Sequence, residues 1–254
     1  MIDGSSGPIV VLRAAEVDYG GRGALGPIDL DIAAGEIVGL VGPSGCGKST
    51  ALRLVAGLEA PTRGDVRRNL RRGETSVVFQ APTLAPWLSA RANVALPLAL
   101  GASPPGEAAR IADAALARVG LAGSETRRPA QLSGGMAMRV SLARALVTGP
   151  RLLLMDEPFA ALDEIARRAL ADDVQRLWAQ DGATIVFVTH SVEEAAYMAQ
   201  RVLVMTPGPG RWAAERRIEG PLPRPPGFRA APAFRTQVEA ISADLAAAVV
   251  PAHS

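Results

Sequence analysis

Gly42-Pro43-Ser44-Gly45-Cys46-Gly47-Lys48-Ser49-Thr50 is the stretch on which the fold of this chain turns. It fits the pattern G-x-x-x-x-G-K-S. It stands between an apolar run, Ile37 to Val41, and an amphipathic run, Thr50 to Leu58, that closes at Gly57. Strand, glycine-rich turn and helix in that order make a phosphate cradle, because the glycines let successive N–H groups face inward and the helix N-terminus adds its dipole. Lys48 is then placed to reach the β- and γ-phosphates of a nucleotide, and the Ser49 hydroxyl to ligate Mg²⁺. Of the 27 Lys and Arg residues, Lys48 is the single lysine. An ammonium and a guanidinium are not interchangeable at a tight site, so the shape of Lys48 matters.

A partner for this loop follows downstream in Arg151-Leu152-Leu153-Leu154-Met155-Asp156-Glu157. Four apolar residues predict a buried strand with Asp156 at its carboxyl end, able to hold the hydration shell of Mg²⁺. Glu157 can polarise an attacking water. Around these two motifs the chain alternates. Strands are predicted at Ile9 to Tyr19, Ile28 to Ile32, Glu36 to Val41, Ser76 to Phe79, Arg151 to Met155, Thr184 to Thr189 and Val202 to Met205. Helices are predicted at Glu107 to Val119, Ala137 to Leu146, Ile165 to Trp178, Val192 to Met198 and Pro232 to Val249. This is an α/β pattern around a mostly parallel sheet, with a helical piece inserted after residue 80 and Pro/Gly/Arg-rich surface strands and loops from Thr206 to Pro232.

Length and composition agree. The 254 residues are 48% hydrophobic and 20% charged, which describes a globular protein able to build its own core, largely from Ala, Leu and Val since only 4% is aromatic. Mean hydropathy is +0.18, yet no run approaches the ~20 apolar residues of a spanning helix. The first residues carry no basic and apolar leader pattern, which predicts a cytoplasmic chain. One cysteine excludes an intrachain disulfide and a multi-thiolate metal site, and two histidines exclude a His-rich one. A net charge of +2 gives no electrostatic case for nucleic acid.

Taken with the two motifs, further segments resemble one family, the nucleotide-binding subunits of ABC transporters. Leu132-Ser133-Gly134-Gly135-Met136 resembles the family's signature, Gln80 its Q-loop glutamine, Ala161-Leu162-Asp163 its D-loop, and His190 in Val-Thr-His its switch histidine. Tyr19 lies upstream where the family stacks an aromatic ring on adenine. The six elements stand in the family's order over about Ile9 to Arg217. The resemblance implies a P-loop NTPase core of RecA-like, mostly parallel sheet with an antiparallel β subdomain and an inserted α-helical subdomain. Its implied bounds are 9–220 for the nucleotide-binding domain, with 81–148 the helical part, and 221–254 for a C-terminal extension with one helix.

It also implies a head-to-tail dimer in which each Mg-ATP is held between the loop 42–50 of one copy and Ser133, Gly134 and Gly135 of the other. Asp163 then crosses the interface, His190 holds the γ-phosphate, Glu157 and Gln80 act in hydrolysis, and Ser49, Gln80 and Asp156 hold the metal. Met136 replaces the signature's usual glutamine, with little expected loss because Ser133 and the glycines make the phosphate contacts. The stretch from Gly64 to Gln80 is short for the family, which leaves its outer hairpin open; the arginines at 67, 68, 71 and 72 there read as a solvated face. Cys46, a thiol at a helix N-terminus, reads as reactive, with ATP protecting it.

A single cassette without spans resembles bacterial importers, whose permease is a separate polypeptide fed by a periplasmic or lipid-anchored binding protein. Glu-Pro-Phe-Ala-Ala-Leu-Asp-Glu, Val-Thr-His-Ser-Val-Glu-Glu-Ala and Gly-Pro-Leu-Pro-Arg224-Pro are similar to the nitrate/sulfonate/taurine group, which implies a small anion or a thiamine-precursor pyrimidine as cargo. Such a subunit sits on the cytoplasmic face of the inner membrane. Trp87 reads equally as a permease contact or as core, and Trp178 as core. A soluble ABC ATPase acting on nucleic acid or ribosomes is the alternative; its basic stripe and second cassette are missing.

Overall fold

The computed structural model describes residues 7–101 and 103–249. The expectation of no leader at the first residues lies outside the described residues, as does His253, which reads from the sequence as an unstructured tail. The chain opens with two long strands, β1 (Pro8–Tyr19) and β2 (Arg22–Ala33), paired antiparallel. Side chains of a strand alternate between faces, and β2 does so cleanly: Ile28, Leu30 and Ile32 are buried while their neighbours face solvent. A third strand, β4 (Arg63–Arg68), joins the other edge of β1, giving the order β2-β1-β4.

The second sheet has six strands in the order β5-β6-β7-β3-β8-β9. They are β3 (Ile37–Val41), β5 (Thr75–Val78), β6 (Leu152–Asp156), β7 (Thr184–Thr189), β8 (Arg201–Met205) and β9 (Trp212–Arg217). All pairs are parallel except β8 with β9. The central strands are continuous apolar runs because both faces are covered. Their odd and even residues serve two cores. Val38, Leu40, Leu152, Leu154, Val186 and Val188 pack with α1 (Lys48–Ala56) and the antiparallel sheet. Ile37, Val41, Leu153, Met155, Ile185 and Phe187 pack with the helices on the opposite face. Each such side chain, fully buried, contributes ~1.5–3 kcal/mol.

Those helices are α2 (Ala90–Leu100), α3 (Pro105–Arg118), α4 (Gly134–Leu146), α5 (Glu164–Asp181), α6 (Val192–Met198) and α7 (Pro232–Val249). The segment after β5 is helical as expected, with α2, α3 and α4 packed on one another. The stretch left open at 64–80 is no hairpin: β4 belongs to the first sheet and β5 to the edge of the second. Arg67, Arg71 and Arg72 there are exposed, as a solvated face requires, but Arg68 is partly buried and donates to Val55 O at 3.0 Å and to Thr75 Oγ1 at 2.8 Å. Trp178 is only partly buried, its indole N–H donating to Gly35 O at 2.9 Å, and Trp87 is 72% exposed.

Candidate functional site

Parallel strands place all their carboxyl ends on one edge of a sheet, and ligands of such sheets bind there. Here that edge carries the loop 42–47 after β3, Asp156 and Glu157 at the end of β6, His190 after β7 and Gln80 after β5. Four stretches distant in sequence are thus brought to one edge because the strand order sets β3, β7, β6 and β5 side by side.

The loop is a cradle without occupants of its own. Among the described residues, the N–H groups of Gly45 and Gly47 have no hydrogen-bond acceptor, and α1 begins at Lys48, so the free N–H groups of its first turn face the same space. Gly47 takes φ +104°, and a Cβ there would sit 2.5 Å from Ala24 O. The Lys48 ammonium is buried and donates to Gly42 O at 2.8 Å and Pro43 O at 2.9 Å, lying across the loop's mouth. The Ser49 hydroxyl donates to Asp156 Oδ1 at 3.1 Å. Burial pushes the Asp156 carboxyl up, the Ser49 hydrogen bond opposes that, and neighbouring Glu157 adds to it. A hydroxyl and a carboxylate in contact are two hard oxygen donors, the kind of ligand that a divalent cation such as magnesium takes.

Glu157 takes φ +47°, rare for a residue with a side chain and costing about 1 kcal/mol or more, and its N–H donates to Val188 O at 3.0 Å. Its carboxylate lies 3.5 Å from His190 Nδ1. His190 is not buried: its ring is 61% exposed and faces the edge of the sheet. A carboxylate and an imidazole here can orient a water and bind a phosphate oxygen. Tyr19, at the end of β1, is half exposed; its hydroxyl donates to Glu59 and accepts from Arg53 Nη2 at 3.1 Å, and Arg53 also reaches Thr50 Oγ1 at 3.2 Å. Pro43 and Ser44 complete the loop, Ser44 exposed.

Three expected contributors are not joined to this cluster. Ser133 caps α4, its Oγ accepting from Met136 N at 3.2 Å, with Gly134 exposed and Gly135 partly so. Asp163 caps α5, accepting from Ala166 N at 2.8 Å. Gln80 is exposed. Among the described residues, no hydrogen bond links any of them to the loop 42–49.

A reactive Cys46 is not what the structure holds. The thiol is buried, and burial pushes its pKa up against the opposing charge of Lys48. The helix-terminus argument holds for an exposed sulfur, but this one points back into the core. Maleimide at neutral pH is therefore expected to modify the native chain at least ~10-fold more slowly than the unfolded chain, with ATP adding little protection. Equal rates in the two states would refute this.

What lies behind the loop was not legible in the sequence. The turn after β8 packs against it so closely that a Cβ on Gly210 would stand 1.9 Å from Cys46 O and 2.6 Å from Met205 Cε. Gly210 N–H donates to Ala24 O at 3.3 Å and Gly26 N–H to Gly210 O at 2.9 Å, so β2, the loop and this turn form one stack. Gly210→Ala is expected to push Cys46 outward, cost about 1–3 kcal/mol of stability, and weaken ATP binding more than it lowers the maximal rate. Gly208→Ala, whose Cβ has 3.7 Å to Gly45 O, serves as the control and should bind ATP normally. Unchanged ATP affinity in Gly210→Ala would show that the stack does not shape the loop.

The family described as ABC transporter matches residues 25–160, which span both the loop and the Asp156-Glu157 pair. The chain belongs to that family. An aliphatic sulfonates import ATP-binding protein of Xanthomonas axonopodis pv. citri is 44% identical over 84% of this chain and 87% of its own length. A taurine import ATP-binding protein of Mesorhizobium japonicum is 42% identical over 93% of the chain and 92% of its own length. Among solved structures, a dimeric post-hydrolysis state of the ATP-binding cassette MJ0796 bound to ADP and Pi is similar with a TM-score of 0.71 and 33% identity. It covers 83% of this chain and 99% of that one.

Proposed function

We propose that this cassette is the ATP-binding and ATP-hydrolysing subunit of an importer for a sulfonate-type anion, working as a dimer that drives a separate permease. The observation that supports it most is the likeness to sulfonate and taurine import subunits over 84–93% of the chain. A dimer is supported by the site itself. The α4 N-terminus at Ser133, Gly134 and Gly135 offers free N–H groups to an anion, and among the described residues no hydrogen bond ties it to its own chain's loop, which fits a phosphate supplied by a second copy. Among the described residues no helix is long and apolar enough to cross a membrane, which fits a peripheral subunit held by the permease at the cytoplasmic face of the inner membrane.

In this reading Tyr19 stacks on adenine, the loop 42–50 cradles the phosphates, and Lys48 turns from Gly42 O and Pro43 O to the β- and γ-oxygens. Ser49 and Asp156, with Gln80, would hold Mg²⁺, which when bound would neutralise negative charge on the phosphates. Glu157 orients the attacking water and accepts its proton. His190 donates to a γ-phosphate oxygen, and the partner's signature segment closes the far side. Asp163 reaches across the interface. As water's oxygen bonds to the γ-phosphorus, the bond to ADP breaks and the dimer loses what held it shut. A periplasmic or lipid-anchored binding protein delivers the anion, and exposed Trp87, after Gln80, is the permease contact.

The test is a pull-down of tagged chain from its own cells' solubilised membranes. One polytopic permease in near-equal amount is the expected result. Recovery of only soluble or ribosomal partners would leave the ATPase chemistry and sink the transport reading.

A further inference from the structure

The C-terminal segment buries a cation that the chemistry just described does not use. Arg224 is 7% exposed, and among the described residues it has no carboxylate partner. Every donor instead goes to a backbone carbonyl. Nε reaches Tyr197 O at 3.0 Å, Nη2 reaches Ala199 O at 2.8 Å and Ala196 O at 3.4 Å, and Nη1 reaches Glu219 O and Pro221 O at 3.3 Å each. The guanidinium lies over the Phe228 ring, 4.5 Å from its centroid. Gln175 fixes its backbone, accepting from Arg224 N at 2.7 Å while donating to Tyr197 O at 2.8 Å. Burial pushes the Arg224 pKa down to about 10, so it stays charged at neutral pH.

Ala196, Tyr197 and Ala199 are the carboxyl end of α6, where carbonyls lack helical partners and the helix dipole is negative. The opposite end of α6 carries the switch histidine. Ser191 caps it, its Oγ accepting from Glu194 N at 3.3 Å; Thr189 donates its hydroxyl to the Glu194 carboxylate; and Ser191 N–H donates to Thr189 Oγ1 at 3.0 Å. Both neighbours of His190 are therefore tied into the first turn of a helix roughly 10 Å long. Arg229 lies over the Tyr197 ring from the side, with Phe228 and Phe234 also against that ring. Plain stability needs no charge here, since an apolar side chain of similar size fills such a space at less desolvation cost. A planar fork reaching five carbonyls defines where the helix end sits.

We propose that Arg224 is a positioning residue for His190: by gripping the far end of α6, the C-terminal segment holds the imidazole against Glu157 and the phosphate edge. This rests on the role given to His190 above. The experiment uses the full chain with Arg224→Lys, which keeps the cation but loses the fork. ATP affinity should stay within about twofold, while the turnover number falls by about ten- to a hundredfold, the effect of a small misplacement of a reacting group. The imidazole NMR resonance of His190, assigned against His190→Ala, should shift. In the His190→Ala background, Arg224→Lys should lower the remaining turnover by less than about twofold.

Equal fold-losses in both backgrounds, or an unmoved resonance with normal turnover, would overturn the proposal. Should Arg224→Lys not be folded at the assay temperature, the same cycle is run with Gln175→Met, which removes the amide orienting Arg224 while keeping the cation and the volume. A wild-type chain that fails to hydrolyse ATP would count against the functional reading, while the resonance still reports whether Arg224 positions His190.

Discussion

Glu157→Gln lowers ATP turnover by about 10²–10⁴-fold and leaves a nucleotide-loaded dimer that gel filtration in Mg-ATP reads as twice the monomer mass. The substitution keeps the size of the side chain, the hydrogen bond from Glu157 N to Val188 O at 3.0 Å and the left-handed backbone, so the site keeps its shape. What it removes, on the role proposed above, is the group that accepts the water's proton, together with a negative charge beside the γ-phosphate. Binding is thereby spared or strengthened while the chemical step is lost. A variant that stays monomeric in ATP, or that hydrolyses at the wild-type rate, would contradict the role assigned to Glu157.

The second large effect is expected at Lys48. Its ammonium is buried and bridges Gly42 O and Pro43 O in a space bounded by the loop's own backbone. Lys48→Arg keeps the charge, but the planar fork is broader than an ammonium and must push the loop outward to fit. The loss of a desolvated, hydrogen-bonded cation from a phosphate is about 2–5 kcal/mol, so ATP affinity should fall by roughly 10²-fold or more for Lys48→Ala. Arginine should recover less than about a tenth of that loss. Titration calorimetry with a slowly hydrolysed ATP analogue reads both. Near-normal binding by Lys48→Arg would show that charge alone is needed and that the chain's single lysine is incidental.

Most of the elements were legible because their signals are local. β7, α6 and α7 run over Thr184–Thr189, Val192–Met198 and Pro232–Val249, as the pattern predicts, since each is a run of one period bounded by a cap or a breaker. The phosphate loop was legible for the same reason: strand, glycines, lysine and helix are contiguous. Two expectations failed, and one placement was not legible, where the answer depended on what packs from elsewhere. Cys46 sits at a helix N-terminus by sequence but is buried in a core that includes Met205, from the end of β8. His190 is exposed because β7 ends at the rim of the sheet rather than inside it. Arg68 is held by Val55 and Thr75, which no spacing of arginines reveals.

The sequence alone therefore determined the residue types of the chemistry and their order along the chain: a cradle, an acidic pair, a second anion-binding turn and a histidine after a strand. Those are properties of short segments, fixed by backbone conformation and side-chain functional group. Only the tertiary structure decided which of them share a site. The strand order brings Gly42, Asp156 and His190 to one edge, while among the described residues Ser133 has no hydrogen bond to the loop 42–49. It also decided that Gly210 backs the loop and that a buried Arg224 grips α6. Contacts between distant segments are set by packing and by which carbonyls are left unpaired, and neither has a period that one sequence can display.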